Sequence, residues 1–362
     1  MQTYTSYKTM MNDMFVAVHA GAGYYPRKQR DEILRCLQEA CKVALNEMKQ
    51  GKSSLHACTQ ATIIIENCPL TNAGLGSNLT LNETVECDAG LMDGKTMNFA
   101  GVGALQGVKN PISLAKSLLD AQNHQQDREQ LIQPMLLVSD GALQYAKSVG
   151  VEIVDFKDLI VENSVQTFRR NLSNLVASGI KHCHDQRVDT VGSICLDSSL
   201  LPAASCSSGG LLLKAPGRVG QAALYGCGCW AEAFSQSTCC TVSCSGCGEY
   251  LIKTQIAKKI ARALVKPEKD KCPVEIVVDV IEKKFLQSKL LVDAPKDRVL
   301  IGCICALRLV ESNDYPAKTE FLYAHNSETF TIAYMSSKFK HPISFCSIGE
   351  SVSKVTAGGC LL

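Results

Sequence analysis

The chain has 362 residues, 46% of them hydrophobic and 20% charged, which is material for a large core and excludes a disordered or fibrous protein. Lys and Arg number 37 against 35 Asp and Glu, so no strong field draws the chain toward nucleic acid or an anionic membrane. The longest apolar runs, such as Val299 to Ile304, fall short of the roughly 20 residues that span a bilayer, and the first residues lack the basic and apolar regions of a secretory signal. Nineteen cysteines, an odd number in a chain too long to need stapling, read as free buried thiols in a reducing compartment, cytosol or nucleus.

Met14 to Val18 reads as a short buried strand running into a loop, His19-Ala-Gly-Ala-Gly23. Apolar residues at helical spacing predict helices over Arg27 to Gln50, where Gly51 is a stop, and over Ser54 to Glu66. A turn-rich segment, Asn67 to Asn78, leads to a hairpin of Val85 to Leu91 and Thr96 to Leu105 through Asp93-Gly94. Asn110-Pro111 caps a helix to about Leu119, a polar loop covers Ala121 to Gln133, and helices fit Asp140 to Ser148 and Asp158 to Ser178. The second half opens with strands at Thr190 to Leu196, Ala203 to Ser207, Ala222 to Cys229 and Thr238 to Ser245. Helices at Glu249 to Val265 and Pro273 to Leu286 follow, then strands at Arg298 to Val310, Glu320 to His325 and Thr331 to Met335. Strands and helix pairs in both halves imply two sheets layered between helices.

No nucleophile elbow, P-loop or dinucleotide fingerprint is present. His182-Cys-His184 and the Cys244-x-x-Cys247 pair raise zinc, but no second pair matches, and the segment around Cys227 to Cys247 reads as small-residue strand with core thiols. The informative set is ordered along the chain: Asp189-Thr190 at the midpoint, then Ser208 before Gly209-Gly210, Arg218 in Pro216-Gly-Arg-Val-Gly220, and Ser245-Gly246 before Cys247-Gly-Glu249. A threonine freed at its amino group suits covalent catalysis. An α-amine titrates near ~8, so part of it is neutral at pH 7 and takes the proton from its own Oγ without a histidine.

These residues, with His19-Ala-Gly-Ala-Gly23, Asn72-Ala-Gly-Leu-Gly76 and Cys87-Asp-Ala-Gly-Leu-Met-Asp-Gly94, resemble the plant-type asparaginase family of amino-terminal-nucleophile hydrolases, from about Phe15 to Ser336. The resemblance implies an αββα sandwich made as a precursor that cuts itself between Asp189 and Thr190, leaving chains 1–189 and 190–362 together in one domain. It implies Thr190 as nucleophile, Ser208 as the hydroxyl beside it, Ser245 and the Gly246 amide as the oxyanion pair, Arg218 as the grip on a substrate carboxylate, and Asn72 as a residue shaping the site.

Within the family, Gly217 to Ala231 is similar to the protease branch, the threonine aspartases. Asparaginases carry Asp at the position of Gln221, where it meets a free α-amino group, and a neutral Gln suits a substrate whose amino group is acylated in a peptide. That branch implies an endopeptidase cleaving after Asp in selected nuclear regulators, such as trithorax-type methyltransferases and the transcription factor IIA precursor. A heterotetramer of two such cut pairs, residence in nucleus and cytoplasm, and no metal or organic cofactor go with it. The segment before Thr190 shows no evident import signal, since only Arg169-Arg170, Lys181 and Arg187 stand there. The alternative is an asparaginase or isoaspartyl peptidase acting on small molecules.

Overall fold

The computed structural model describes residues 13–23, 26–124, 131–178, 189–235, 237–267, 270–310 and 317–362. Thirteen strands and eight helices are defined among them. In chain order the first half holds β1 (Phe15–Gly23), α1 (Arg27–Lys49), α2 (Ser54–Glu66), β2 (Cys87–Asp93), β3 (Phe99–Leu105), α3 (Pro111–Asn123), β4 (Leu136–Val138), α4 (Ser139–Ser148) and α5 (Glu162–Ser178). The second holds β5 (Val191–Leu196), β6 (Pro202–Ser208), β7 (Cys229–Ala233), β8 (Thr238–Gly246), α6 (Gly248–Thr254), α7 (Ile256–Val265), α8 (Pro273–Val280), β9 (Ile301–Leu309), β10 (Lys318–His325), β11 (Thr329–Ser336), β12 (Ile343–Ile348) and β13 (Thr356–Leu361).

Two sheets result, one of eight strands in the order β12-β11-β1-β5-β6-β2-β3-β4 and one of five in the order β13-β10-β9-β8-β7. Apolar side chains of both sheets meet in one core that includes Phe15, Ile194, Trp230, Val242, Ile304 and Phe321. Helices α1, α2 and α3 cover the outer face of the larger sheet, and α7 and α8 cover that of the smaller. The architecture is the four-layer αββα sandwich that the alternation of strand and helix runs predicts. Residues before and after Asp189 share the larger sheet, since β1 lies between β11 and β5, and β6 pairs with β2. Residues from both parts therefore contribute to the core between the sheets.

Local differences from the sequence expectations have physical causes. β1 runs on through Gly23, because antiparallel partners exist on both sides for its first half and on β11 for its end. The segment Ala222 to Cys229 is not a strand: a tight turn spans Gln221–Ala223, Gly226 takes a positive φ of 77°, and β7 starts only at Cys229. Helix Glu249 to Val265 is broken at Gln255, whose left-handed φ of 49° separates α6 from α7. The last helix widens into a π-turn at Ile281–Leu286. Three edge strands escape the sequence reading, β4, β12 and β13, because exposure on both faces erases the apolar alternation that marks a half-buried strand.

The cysteines near Cys227 to Cys244 are core residues, with Cys229, Cys239, Cys240 and Cys244 buried beside Trp230 and Val242. No His, Cys, Asp or Glu group among the described residues is placed to hold a metal ion. His182-Cys-His184, Lys181 and Arg187 lie outside the described residues, as do residues 1–12. Among the described residues no helix is long and apolar enough to cross a membrane.

Candidate active site

Thr190 stands one residue before β5, where the β5–β6 register, Val191 opposite Ser207, carries it alongside Ser208 at the end of β6. The period-two alternation of β6 turns Cys206 and Ser208 toward the second sheet and Ser207 toward α2, which is why two adjacent serines have unlike partners. Thr190 is 2% exposed. Its Oγ1 donates to Ser208 Oγ at 3.3 Å and accepts from Gln221 Nε2 at 2.7 Å, while Ser208 Oγ accepts from the Gly210 amide at 3.0 Å. The hydroxyl is held from two directions while its residue is still joined to Asp189.

Thr190, Ser208, Arg218, Gln221 and Gly246 line one small cleft together with Gly210, Leu211 and Gly248. Five of the residues singled out in the sequence, far apart along the chain, thus converge. Gly246 ends β8 at φ 141°, and a Cβ there would lie 2.2 Å from the Leu300 carbonyl oxygen, so only glycine presents its amide at this place. Ser245 is fully buried and does not line the cleft; its Oγ accepts from the Ala22 amide at 3.0 Å, joining the second sheet to β1. Below it on the same face, Ser243 Oγ donates to the Ser205 carbonyl at 2.8 Å and meets His19 Nε2 at 2.9 Å, which gives the space between the sheets a polar layer under the site.

Asn72 is likewise outside the cleft of Thr190. It lies behind the Gly209-Gly210 turn, where its carbonyl accepts from the Gly209 amide at 2.7 Å and its Nδ2 donates to the Gly210 carbonyl at 2.9 Å. Because Gly210 in turn donates to Ser208, Asn72 acts on the hydroxyl pair through backbone. Asp189 and Asn72 line a neighbouring pocket with Thr71, Asn78, Ser164 and Thr167. Asp189 is 1% exposed and packs on the two glycines of His19-Ala-Gly-Ala-Gly23: a Cβ on Gly21 would fall 2.5 Å from its Cα, and one on Gly23 2.2 Å from its Oδ1.

Arg218 reaches the cleft with one edge occupied. Its Nε and Nη2 donate to the two carboxylate oxygens of Glu249, each at 2.9 Å, a bidentate pair that fixes the guanidinium plane. Partial burial raises the Glu249 carboxyl, but the guanidinium outweighs it and the net position is below the ordinary value of 4.5. Glu249 was visible in the sequence only as the end of a motif; a lone carboxylate on an exposed helix start carries no signal of a partner 31 residues away. Lys214 is 4% exposed, and its Nζ donates to the Glu86 carbonyl at 2.6 Å. Its tip and Nη1 of Arg218 both converge on Gly210, 2.9 and 3.2 Å from where a Cβ would stand. Asp88, fully buried, is raised by burial, and the nearby Lys214 and amide donors work against that rise.

Behind the site, Glu66 ends α2 with no exposed surface. Its Oε1 accepts from Ser207 Oγ at 2.6 Å and from the Ile112 amide at 3.0 Å, and burial pushes its carboxyl up to about 7. The sequence reading missed it because it looks like one more polar residue at a helix end.

The sequence pattern of the asparaginase family matches residues 12–288, more than half of the chain. The chain belongs to that family. An isoaspartyl peptidase/L-asparaginase of Danio rerio is 30% identical over 260 residues, covering 72% of this chain and 78% of that protein. The isoaspartyl peptidase of Escherichia coli (strain K12) is 31% identical over 260 residues, 69% and 77% of the two chains. A plant-type L-asparaginase of Thermococcus kodakarensis is 33% identical over 258 residues, 68% and 78% of the two chains. Asparaginase-family proteins of this type are amino-terminal-nucleophile hydrolases, and the αββα layering agrees.

Proposed function

We propose that the chain is a self-cleaving threonine hydrolase of aspartyl bonds, with Thr190 as nucleophile, and that its substrates are protein chains cut after Asp. In the uncut chain Thr190 Oγ attacks the Asp189 carbonyl, the peptide C–N bond breaks, and the acyl group passes to oxygen as the nitrogen takes up a proton. Water then opens the ester, freeing the Asp189 carboxylate and restoring the Thr190 hydroxyl beside the amine already released. In the mature site that amine accepts the Oγ proton as the hydroxyl attacks a substrate carbonyl. The Gly246 amide is the candidate donor for the developing oxyanion, with Ser245 setting β8 against β1, and Arg218 is the candidate grip for a substrate carboxylate.

The observation that carries the peptide reading is the 2.7 Å bond from Gln221 Nε2 to Thr190 Oγ1. An uncharged donor stands where, by the resemblance, asparaginases present an Asp to a substrate ammonium. Nothing ionic at that position calls for a free α-amino group, and an acylated nitrogen is accepted without an unpaired charge. Asp189 supports an aspartate preference only through its identity as the residue before Thr190, since its side chain lies in the neighbouring pocket against Gly23 and not beside Arg218.

The second reading is hydrolysis of asparagine or β-aspartyl dipeptides, and it is favoured by the names of the relatives at 30–33% identity. Purified wild type beside Thr190→Ala separates the steps. Two fragments, the second beginning Thr190-Val-Gly, with an intact mutant, support the nucleophile assignment; an intact wild type sinks it. The cut protein, assayed with Asp-containing peptides and with asparagine and β-aspartyl dipeptides, then chooses between the readings. Pairing into a heterotetramer and residence in nucleus and cytoplasm remain part of the proposal, checked by the sedimentation mass in solution and by imaging.

A further inference from the structure

We infer that Glu86 and Asp88 form a carboxylate clamp that sets the Lys214–Ala223 loop against the β2–β3 hairpin, making both acids positioning residues for Arg218 and Gln221. The inference rests on the proposed role of those two residues and adds what holds them. Glu86 Oε2 accepts from the Gly217 amide at 2.8 Å, and Asp88 Oδ2 accepts from the Gly220 amide at 2.8 Å, so one carboxylate grips the loop on each side of Arg218. The second Asp88 oxygen accepts from the Ala104 amide at 2.9 Å. Ala104 belongs to a β-bulge: Cys87 pairs with Leu105 but Ala89 pairs with Val102, leaving Gly103 and Ala104 opposite Asp88, and Ala104 holds a φ of 46°. A non-glycine residue in that region is strained, and a bulge bends the strand and re-aims what lies beside it.

The apolar side of the loop fits the same seat. A Cβ on Gly103 would stand 2.9 Å from both γ-carbons of Val219, and one on Gly90 or Gly101 2.1 Å from the carbonyl oxygen of Ala222 or Ala223. The loop therefore lies directly on the hairpin backbone, with the two acids as its polar anchors. Asp88 is also the register partner of Ser208, which puts the clamp one strand from the nucleophile's neighbour.

Asp88→Asn tests this, because an amide offers one acceptor oxygen to two N–H donors and must turn its own NH2 toward one of them. Glu86→Gln is the second variant, in case the first does not fold, and Asp93→Asn, in the exposed hairpin turn of the same strand, is the control. In the uncut Thr190→Ala background, hydrogen exchange over 215–224 is expected to rise about tenfold or more in the clamp variants and to stay unchanged in the control. In the self-cleaving chain, cleavage at Thr190 is expected to slow about tenfold or more, with KM for an Asp-containing peptide raised through Arg218 and kcat lowered through Gln221. Unchanged exchange overturns the clamp. Faster exchange with unaltered cleavage rate, KM and kcat reduces the two acids to a structural role and overturns it as well. Failure of wild type to cut itself would bring down the proposed function instead, while the exchange arm still decides the clamp.

Discussion

The bond between Asp189 and Thr190 has unlike surroundings on its two sides. On the Thr190 side, side-chain donors and acceptors converge on one oxygen from β6 and from the turn after Gly220. On the Asp189 side, the chain is wedged by shape, its Cα and carboxylate lying on Gly21 and Gly23 with no room for a further carbon. The Thr190 hydroxyl is thus held by hydrogen bonds, whereas Asp189 is confined by packing. Close packing on one side and directional bonding on the other suit the proposed self-cleavage, which needs a confined carbonyl beside a held hydroxyl.

Removing the oxygen tests the directional side most severely. Thr190→Ala is expected to abolish self-cleavage, a loss of about a thousandfold or more, read by intact mass after prolonged incubation. Gly23→Ala attacks the packed side. Its new carbon would stand 2.2 Å from Asp189 Oδ1, so the scissile residue must move, and cleavage is expected to slow by about a hundredfold while Thr190, Ser208 and Gln221 stay in place. Cleavage at the wild-type rate in that variant would show that packing does not hold the carbonyl. Gln221→Asp shortens the side chain near Thr190 by one methylene and replaces a donor with a carboxylate. The expected result is about tenfold lower kcat/KM on Asp-containing peptides and a gain on substrates with a free α-amino group, measured on the cut protein.

The smallest effect is expected behind the site. Glu66 holds its proton more tightly folded, at about 7, than its ordinary 4.5, so the folded state binds more protons between those values. Stability therefore falls as pH rises from 4.5 toward 7 and stays reduced above it. Glu66→Gln keeps an acceptor for Ser207 and Ile112 without the buried charge, and denaturant melts at pH 5 and pH 8 should show the wild-type loss flattened by about 2 kcal/mol. A slope identical to wild type would mean that Glu66 is not the group responsible.

Residues before and after the scissile bond were unequally legible in the sequence. Thr190, Ser208, Arg218, Gln221 and Gly246 stand out by resemblance, and four of them fall at strand ends or tight turns that local patterns already mark. Ser245 and Asn72 were legible as residues but not as geometry, since one bonds across to Ala22 and the other holds the Gly209-Gly210 backbone from behind. Glu249, Glu86, Asp88 and Glu66 were invisible as site residues, because a carboxylate announces its partner only when the partner is near in sequence. The Gly220–Asp88 bond spans 132 residues.

What the sequence alone determined is the layered alternation of strands and helices, which depends on short-range periodicity and on small residues at turns, while Thr190 as the proposed nucleophile came from the family resemblance. The tertiary structure decided which side chains share the cleft, how the Arg218 loop is anchored and that Ser208 accepts the hydrogen bond of the Thr190 hydroxyl. Those are fixed by hydrogen bonds and close glycine contacts between β2, β3, β6 and the segment after Gly210. No local pattern in the chain encodes them, since each partner satisfies its own neighbourhood equally well until the sheets assemble.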